Sequence, residues 1–61
     1  STHDGQEFIY VLKGATEVRL EEDIHILEPG DSIYYDSTVP HLVKCHGTRE
    51  TKILAVLFAE R

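Results

Sequence analysis

The chain has 61 residues, 41% of them hydrophobic and 28% charged, and six Lys plus Arg stand against eleven Asp plus Glu for a net charge of −5. That length allows one domain at most, and so short a chain buries only ~60% of the surface its unfolded form exposes. The composition is that of a globular protein, which argues against disorder and low complexity, and the six cations are scattered singly, which argues against a surface that grips nucleic-acid phosphates.

Taken in order, short segments rich in Val, Ile, Tyr and Leu recur every 8–12 residues or so with turn residues between them, the pattern of an all-β sandwich or barrel. No helical periodicity is present. Residues 1–3 read as the end of a strand, and Asp4-Gly5 is a strong hairpin signal. Residues 6–13 form the next strand, closed by Gly14, where the backbone is expected to take a positive φ. In that strand Glu7, Ile9 and Val11 share one face and Phe8, Tyr10 and Leu12 the other, so cover is expected on both sides.

Residues 15–20 alternate, with Thr16, Val18 and Leu20 expected inside and Glu17 and Arg19 facing water. A polar turn over 21–23 precedes a short strand at 24–27. Glu28-Pro29-Gly30-Asp31 is a second turn, with Pro and Gly at compatible central positions. Strands follow at 32–35 and 41–45, separated by a loop, and His41, Val43 and Cys45 share a face of the second. After a turn at 46–50, residues 51–58 make a last strand that is apolar on both faces and again implies burial from two sides.

The longest apolar run, 53–59, is far short of the ~20 residues that a membrane-spanning helix needs, and no signal peptide opens the chain. Cys45 is alone, so no internal disulfide forms, and this points weakly to a reducing compartment. A cytoplasmic protein with no membrane contact is the expectation. The chain starts without Met on a candidate site, and it is expected to be part of a longer protein.

Two metal-ligand residue types lie close together at the start of the chain. In an extended strand His3 and Glu7 would stand ~13 Å apart, whereas ligands of one ion each lie ~2.0–2.2 Å from it. If both bind one ion, the chain must fold back between them, where Asp4-Gly5 sits. Elsewhere His25 and His46 read as ordinary exposed histidines, and Cys45 as a small buried residue that can line a pocket. One of Tyr34 and Tyr35 is expected to face inward. The sequence holds no phosphate-binding glycine loop, no nucleophile elbow and no paired-carboxylate arrangement, so no catalytic residue is assigned.

His3, three residues, Glu7, six residues and Gly14 form one motif; Pro29-Gly30-Asp31 followed by Val39-Pro40-His41 forms a second. Together these resemble the two motifs of the cupins. Ser1 stands where that family's first motif opens with His, and Asp36, Thr38 and Cys45 replace its usual Pro, Gly and Asn. The resemblance implies a cupin-type double-stranded β-helix, or jelly-roll barrel, lacking its first strands. It also implies that His3, Glu7 and His41 converge on one divalent ion, Fe, Mn, Zn or Ni, at the wall of a ligand pocket to which Ser1, Tyr35 and Cys45 contribute.

Within the family, residues 5–12 and 30–41 are most similar to the C-terminal cupin of small helix-turn-helix transcriptional regulators. That likeness implies a domain that senses a small molecule and dimerises, with DNA contacted only through an N-terminal domain outside this segment. Two alternatives stand beside it: a metal-dependent dioxygenase or isomerase acting on a small organic compound, and a metal-free cupin that only oligomerises. A homodimer is expected because Phe8, Tyr10, Leu12 and the last strand present apolar outer faces.

Overall fold

The computed structural model describes residues 5–59. Six strands follow one another without a helix among them: β1 (Gln6–Lys13), β2 (Thr16–Leu20), β3 (Asp23–Leu27), β4 (Ser32–Asp36), β5 (His41–Cys45) and β6 (Lys52–Phe58). Every strand expected over residues 6–58 is present, with ends shifted by one residue at most.

The strands form two antiparallel three-stranded sheets, in the orders β4-β1-β6 and β3-β2-β5. Alternation then decides what lies between the sheets. Ile9, Val11, Val18, Leu27 and Tyr35 are the buried apolar core, and Leu20, Ile33 and Val43 pack against it. Glu7 pairs across the ladder with Tyr35, and Ile9 with Ile33, so these side chains share the inner face of the first sheet. In the second sheet Thr16, Val18 and Leu20 point inward opposite Cys45, Val43 and His41.

Turn chemistry sets the ends of the strands. Gly14 has φ 74°, as its place after β1 predicts, and a Cβ there would overlap the carbonyl oxygen of Glu50. Gly30 has φ 91°, and the Asp31 amide donates to the Glu28 carbonyl at 2.9 Å, closing a turn with Pro29 and Gly30 at its centre. The two-residue link between β2 and β3 is less well suited to its sequence, because Glu21 takes φ 55°, a left-handed conformation that costs an L-residue about 1 kcal/mol.

Two expectations about exposure need correction. Glu17 does lie on the outward face of its sheet, yet it is only 9% exposed, because two cations cover it. Glu17 Oε2 is approached by Arg19 Nε at 2.7 Å and by Lys44 Nζ at 3.6 Å. The Arg19 hydrogen bond is the main cause that holds the Glu17 carboxyl below its ordinary value, with smaller help from Lys44. The second correction concerns β6. Its apolar faces suggest burial from both sides, but all seven of its residues are exposed in this chain.

Two substitutions test these turns by thermal or urea unfolding. Gly14→Ala should destabilise the domain by roughly 2 kcal/mol or more, since it adds both left-handed strain and a clash with backbone. Glu21→Gly should stabilise it by several tenths to about 1 kcal/mol. A neutral Gly14→Ala or a destabilising Glu21→Gly would contradict the turn geometry.

Candidate functional site

Three inner-face side chains meet at the end of the sandwich where β1 and β5 begin and β4 ends. Glu7 comes from β1, Tyr35 from β4 and His41 from β5. The Tyr35 hydroxyl donates to Glu7 Oε1 at 3.0 Å, and His41 Nε2 lies 3.1 Å from Glu7 Oε2. The Tyr35 and His41 rings are 5.2 Å apart between centroids and inclined at 51°. The Glu7 and His41 side chains are 12% and 8% exposed, so the carboxylate and the imidazole face each other largely out of water.

The loop before β5 aims the imidazole. Asp36 Oδ1 accepts from the Thr38 amide at 3.0 Å and from the Thr38 hydroxyl at 2.8 Å, while the Val39 amide donates to the Asp36 carbonyl at 3.1 Å. These bonds hold the Asp36 carboxyl below its ordinary value, the Thr38 amide contributing most. The turn so closed presents the Val39 carbonyl to His41 Nδ1 at 2.7 Å. A carbonyl oxygen only accepts, so Nδ1 carries a proton and Nε2 is the nitrogen left for Glu7. The Pro40 carbonyl accepts from the Glu21 amide at 2.9 Å, which ties the residue before His41 to the β2–β3 turn.

The donor set suits a metal ion. Two ligands at right angles on an octahedral ion, each ~2.1 Å from it, stand ~3.0 Å apart, close to the separation of His41 Nε2 and Glu7 Oε2. A ligating histidine is commonly held through its other nitrogen by a backbone carbonyl, the part that Val39 plays here. Among the described residues no group of three His, Cys, Asp and Glu side chains gathers for an ion. Glu7 and His41 supply two; His3 and Ser1, expected beside them, lie outside the described residues.

The other expected residues divide. Tyr35 is 6% exposed and faces inward, whereas Tyr34 is 62% exposed. Cys45 shares the inner parity of His41 but stands four residues further along β5, ~13 Å away by strand rise. Its thiol is exposed, and it lines a separate cleft of about 180 Å³ with Thr16, Val43, Lys44, Thr51 and Ile53. The structure therefore does not bring Cys45 to Glu7 and His41. A cleft of about 490 Å³ is at the opposite end of the sandwich, where the turns after β1, β3 and β5 come together. His25 and His46 are exposed, as expected.

A family model described as "Cupin domain" matches residues 1–57. The chain belongs to the cupin family. No curated protein and no solved structure matches it. The cupin assignment accounts for the two antiparallel sheets. It also gives meaning to the two departures in the second motif. Where the family places Pro and Gly, this cupin has Asp36 and Thr38, whose side chains close the same turn by hydrogen bonds. The sequence signal for that role was the Asp-Ser-Thr run at 36–38, a composition typical of side-chain-stabilised turns.

Burial and the neighbouring Glu7 push the Tyr35 phenol well above its ordinary value of 10.0, burial being the larger cause. A raised folded-state value means that the stabilisation is present below pH ~10 and is lost as pH rises beyond it. Tyr35→Phe should therefore cost about 1–3 kcal/mol near neutrality, and the gap from the parent should narrow above pH ~10. Unfolding curves at neutral and alkaline pH check this; a gap that widens with pH would contradict the Tyr35–Glu7 bond.

Proposed function

We propose that this cupin domain senses a small molecule at the Glu7–His41 site as part of a bacterial transcriptional regulator. The observation that carries the reading is the pairing of His41 Nε2 with Glu7 Oε2 at 3.1 Å, beside the apolar cluster of Ile9, Val11, Val18 and Leu27. A polar anchor point beside apolar side chains is suited to holding and orienting a ligand. The net charge of −5 fits a domain whose DNA contacts are made by another segment.

A divalent ion at this site would be held by Glu7 and His41 with His3 as third ligand, and would supply a Lewis-acidic anchor for a ligand oxygen or nitrogen. Fe, Mn, Zn and Ni all suit such a donor set. The chain's own residues do the positioning. Tyr35 holds Glu7 through its second oxygen, and the Val39 carbonyl fixes the imidazole so that Nε2 faces the carboxylate. Ser1 and Tyr35 are proposed as pocket residues, whereas Cys45 belongs to its own cleft further along β5.

The second reading is a metal-dependent dioxygenase or isomerase acting on a small organic substrate. It is favoured by the ligand-like spacing of Glu7 and His41, which leaves coordination positions for a substrate.

Metal binding is tested by thermal shift. Zn(II), Mn(II), Ni(II) or anaerobic Fe(II), in large excess over its dissociation constant, should raise the melting temperature of the parent by at least about 5 °C. Glu7→Gln and His41→Ala should abolish that rise while remaining folded. An equal rise in both variants, or none in the parent, would contradict a metal at this site. A small molecule that shifts the metal-loaded protein without being converted supports sensing; turnover of it supports the enzyme.

A further inference from the structure

At the end of the sandwich away from Glu7 and His41, the cleft between the turns after β1, β3 and β5 has a volume of about 490 Å³, within the ~300–1,000 Å³ of small-molecule sites. Backbone hydrogen bonds fix its shape. The Ala15 carbonyl accepts from the His46 amide at 2.9 Å and from the Thr51 hydroxyl at 3.1 Å, so both ends of the loop after β5 are tied to the turn after β1. The turn after β3 is tied to β1 itself, where the Val11 amide donates to the Asp31 carbonyl at 3.0 Å and the Gly30 amide to the Val11 carbonyl at 2.9 Å. The two walls, residues 28–29 and 46–49, are therefore set before any ligand arrives, which lowers the entropy cost of binding one.

The charges on these walls are unusual for this chain. With a net charge of −5 it has carboxylates to spare, and its cations find them. Lys13 and Lys52 stand 3.2 and 3.9 Å from Glu50, and Arg19 and Lys44 stand 2.7 and 3.6 Å from Glu17. Among the described residues Arg49 is the one Lys or Arg without a carboxylate partner, and it lines the cleft. On the same wall the amides of Gly47, Thr48 and Arg49 donate to no protein group among the described residues. Gly47 has φ 84°, and a Cβ there would meet nothing within 4 Å, so glycine serves the direction of the backbone and not the space around it. A left-handed residue among ordinary ones is the reversal by which successive amides come to line an anion-binding concavity. The facing wall carries the opposite sign: Glu28 has no cation partner among the described residues, and its amide is held by Asp31 Oδ2 at 2.9 Å.

We propose that this cleft binds a small zwitterion of the amino-acid type, with its carboxylate on Arg49 and the loop amides and its ammonium on Glu28. A guanidinium offers paired donors that match a carboxylate, and the three amides and the Thr48 hydroxyl add donors beside it. Glu28, with the Asp31 carboxylate behind it, repels a multiply charged anion such as phosphate, and Arg49 repels a simple amine. A ligand that carries both charges satisfies both walls, and having no net charge it is not repelled by the acidic chain as a whole. The site goes beyond the sensing role proposed for Glu7 and His41 and does not depend on it.

Nitrogen–proton NMR of the full chain, titrated at constant ionic strength, tests this with glycine, β-alanine and γ-aminobutyrate as zwitterions of increasing span and with propionate and inorganic phosphate as simple anions. At least one zwitterion should shift the amide signals of Gly47 and Thr48 with a millimolar midpoint, about five-fold or more tighter than propionate or phosphate. Arg49→Gln should weaken that binding by about five-fold or more, and Glu28→Gln should erase the advantage over propionate. Both side chains are exposed, so the folded spectrum should persist in each variant. His41→Ala should leave the titration unchanged, which separates this cleft from the sensing site. No shift at Gly47 and Thr48 up to about 100 mM zwitterion would overturn the proposal. So would an undiminished response in Arg49→Gln, or propionate or phosphate binding as tightly as every zwitterion, which would make the cleft a plain anion site.

Discussion

The Glu7 carboxylate is shared between a phenol and an imidazole, and much of the architecture serves to make that arrangement tolerable. A carboxylate with a side chain 12% exposed must find partners for both oxygens or disfavour the folded state. Tyr35 supplies one by donating from the neighbouring strand, and His41 donates to the other from the opposite sheet when its Nε2 also carries a proton. The two sheets are thus joined at this end by polar contacts, while further along they are joined by Ile9, Val11, Val18 and Leu27. The polar end is the demanding one, because each group is useful only if the others hold their angle.

That angle is set at a distance from the carboxylate. Asp36 and Thr38 close the loop, the loop places the Val39 carbonyl, and the carbonyl decides which nitrogen of His41 is left for Glu7. A chain of three local hydrogen-bond choices therefore reaches the chemistry of the site. The same economy appears at Gly14, where a left-handed backbone turns the chain close to Glu50 with no side chain to obstruct it, while at Gly30 only the left-handed φ calls for glycine. Glu21 is the exception, and its strain lies next to the Pro40 carbonyl that steadies the residue before His41.

Much of this was legible in the residues. Period-two alternation located the strands because each sheet has one buried face, and the fixed spacings from Glu7 to Gly14 and from Pro29 to His41 pointed to the cupin family. The inward placement of one tyrosine of the 34–35 pair follows from the same alternation. What escaped were effects of side chains reaching across strands. Glu17 alternates as a solvent residue, and only the register that sets Lys44 opposite it, with Arg19 beside it, reveals its burial. Parity placed Cys45 on the face of His41, but the four residues of strand between them carry it to a different cleft. The doubly apolar β6 was readable as needing cover, yet the exposure of that strand could not be seen until the sheet order put it at an edge.

The account turns on His41 presenting Nε2 to Glu7 while Nδ1 stays bonded to Val39, an arrangement that suits a metal ligand. Long-range nitrogen–proton NMR of the imidazole, recorded before and after adding Zn(II), measures both nitrogens directly. It should show Nδ1 protonated throughout and Nε2 changing its shift on metal addition, with the Nδ1 proton kept. A proton on Nε2 with Nδ1 bare, or an Nε2 signal indifferent to Zn(II), would contradict the site described.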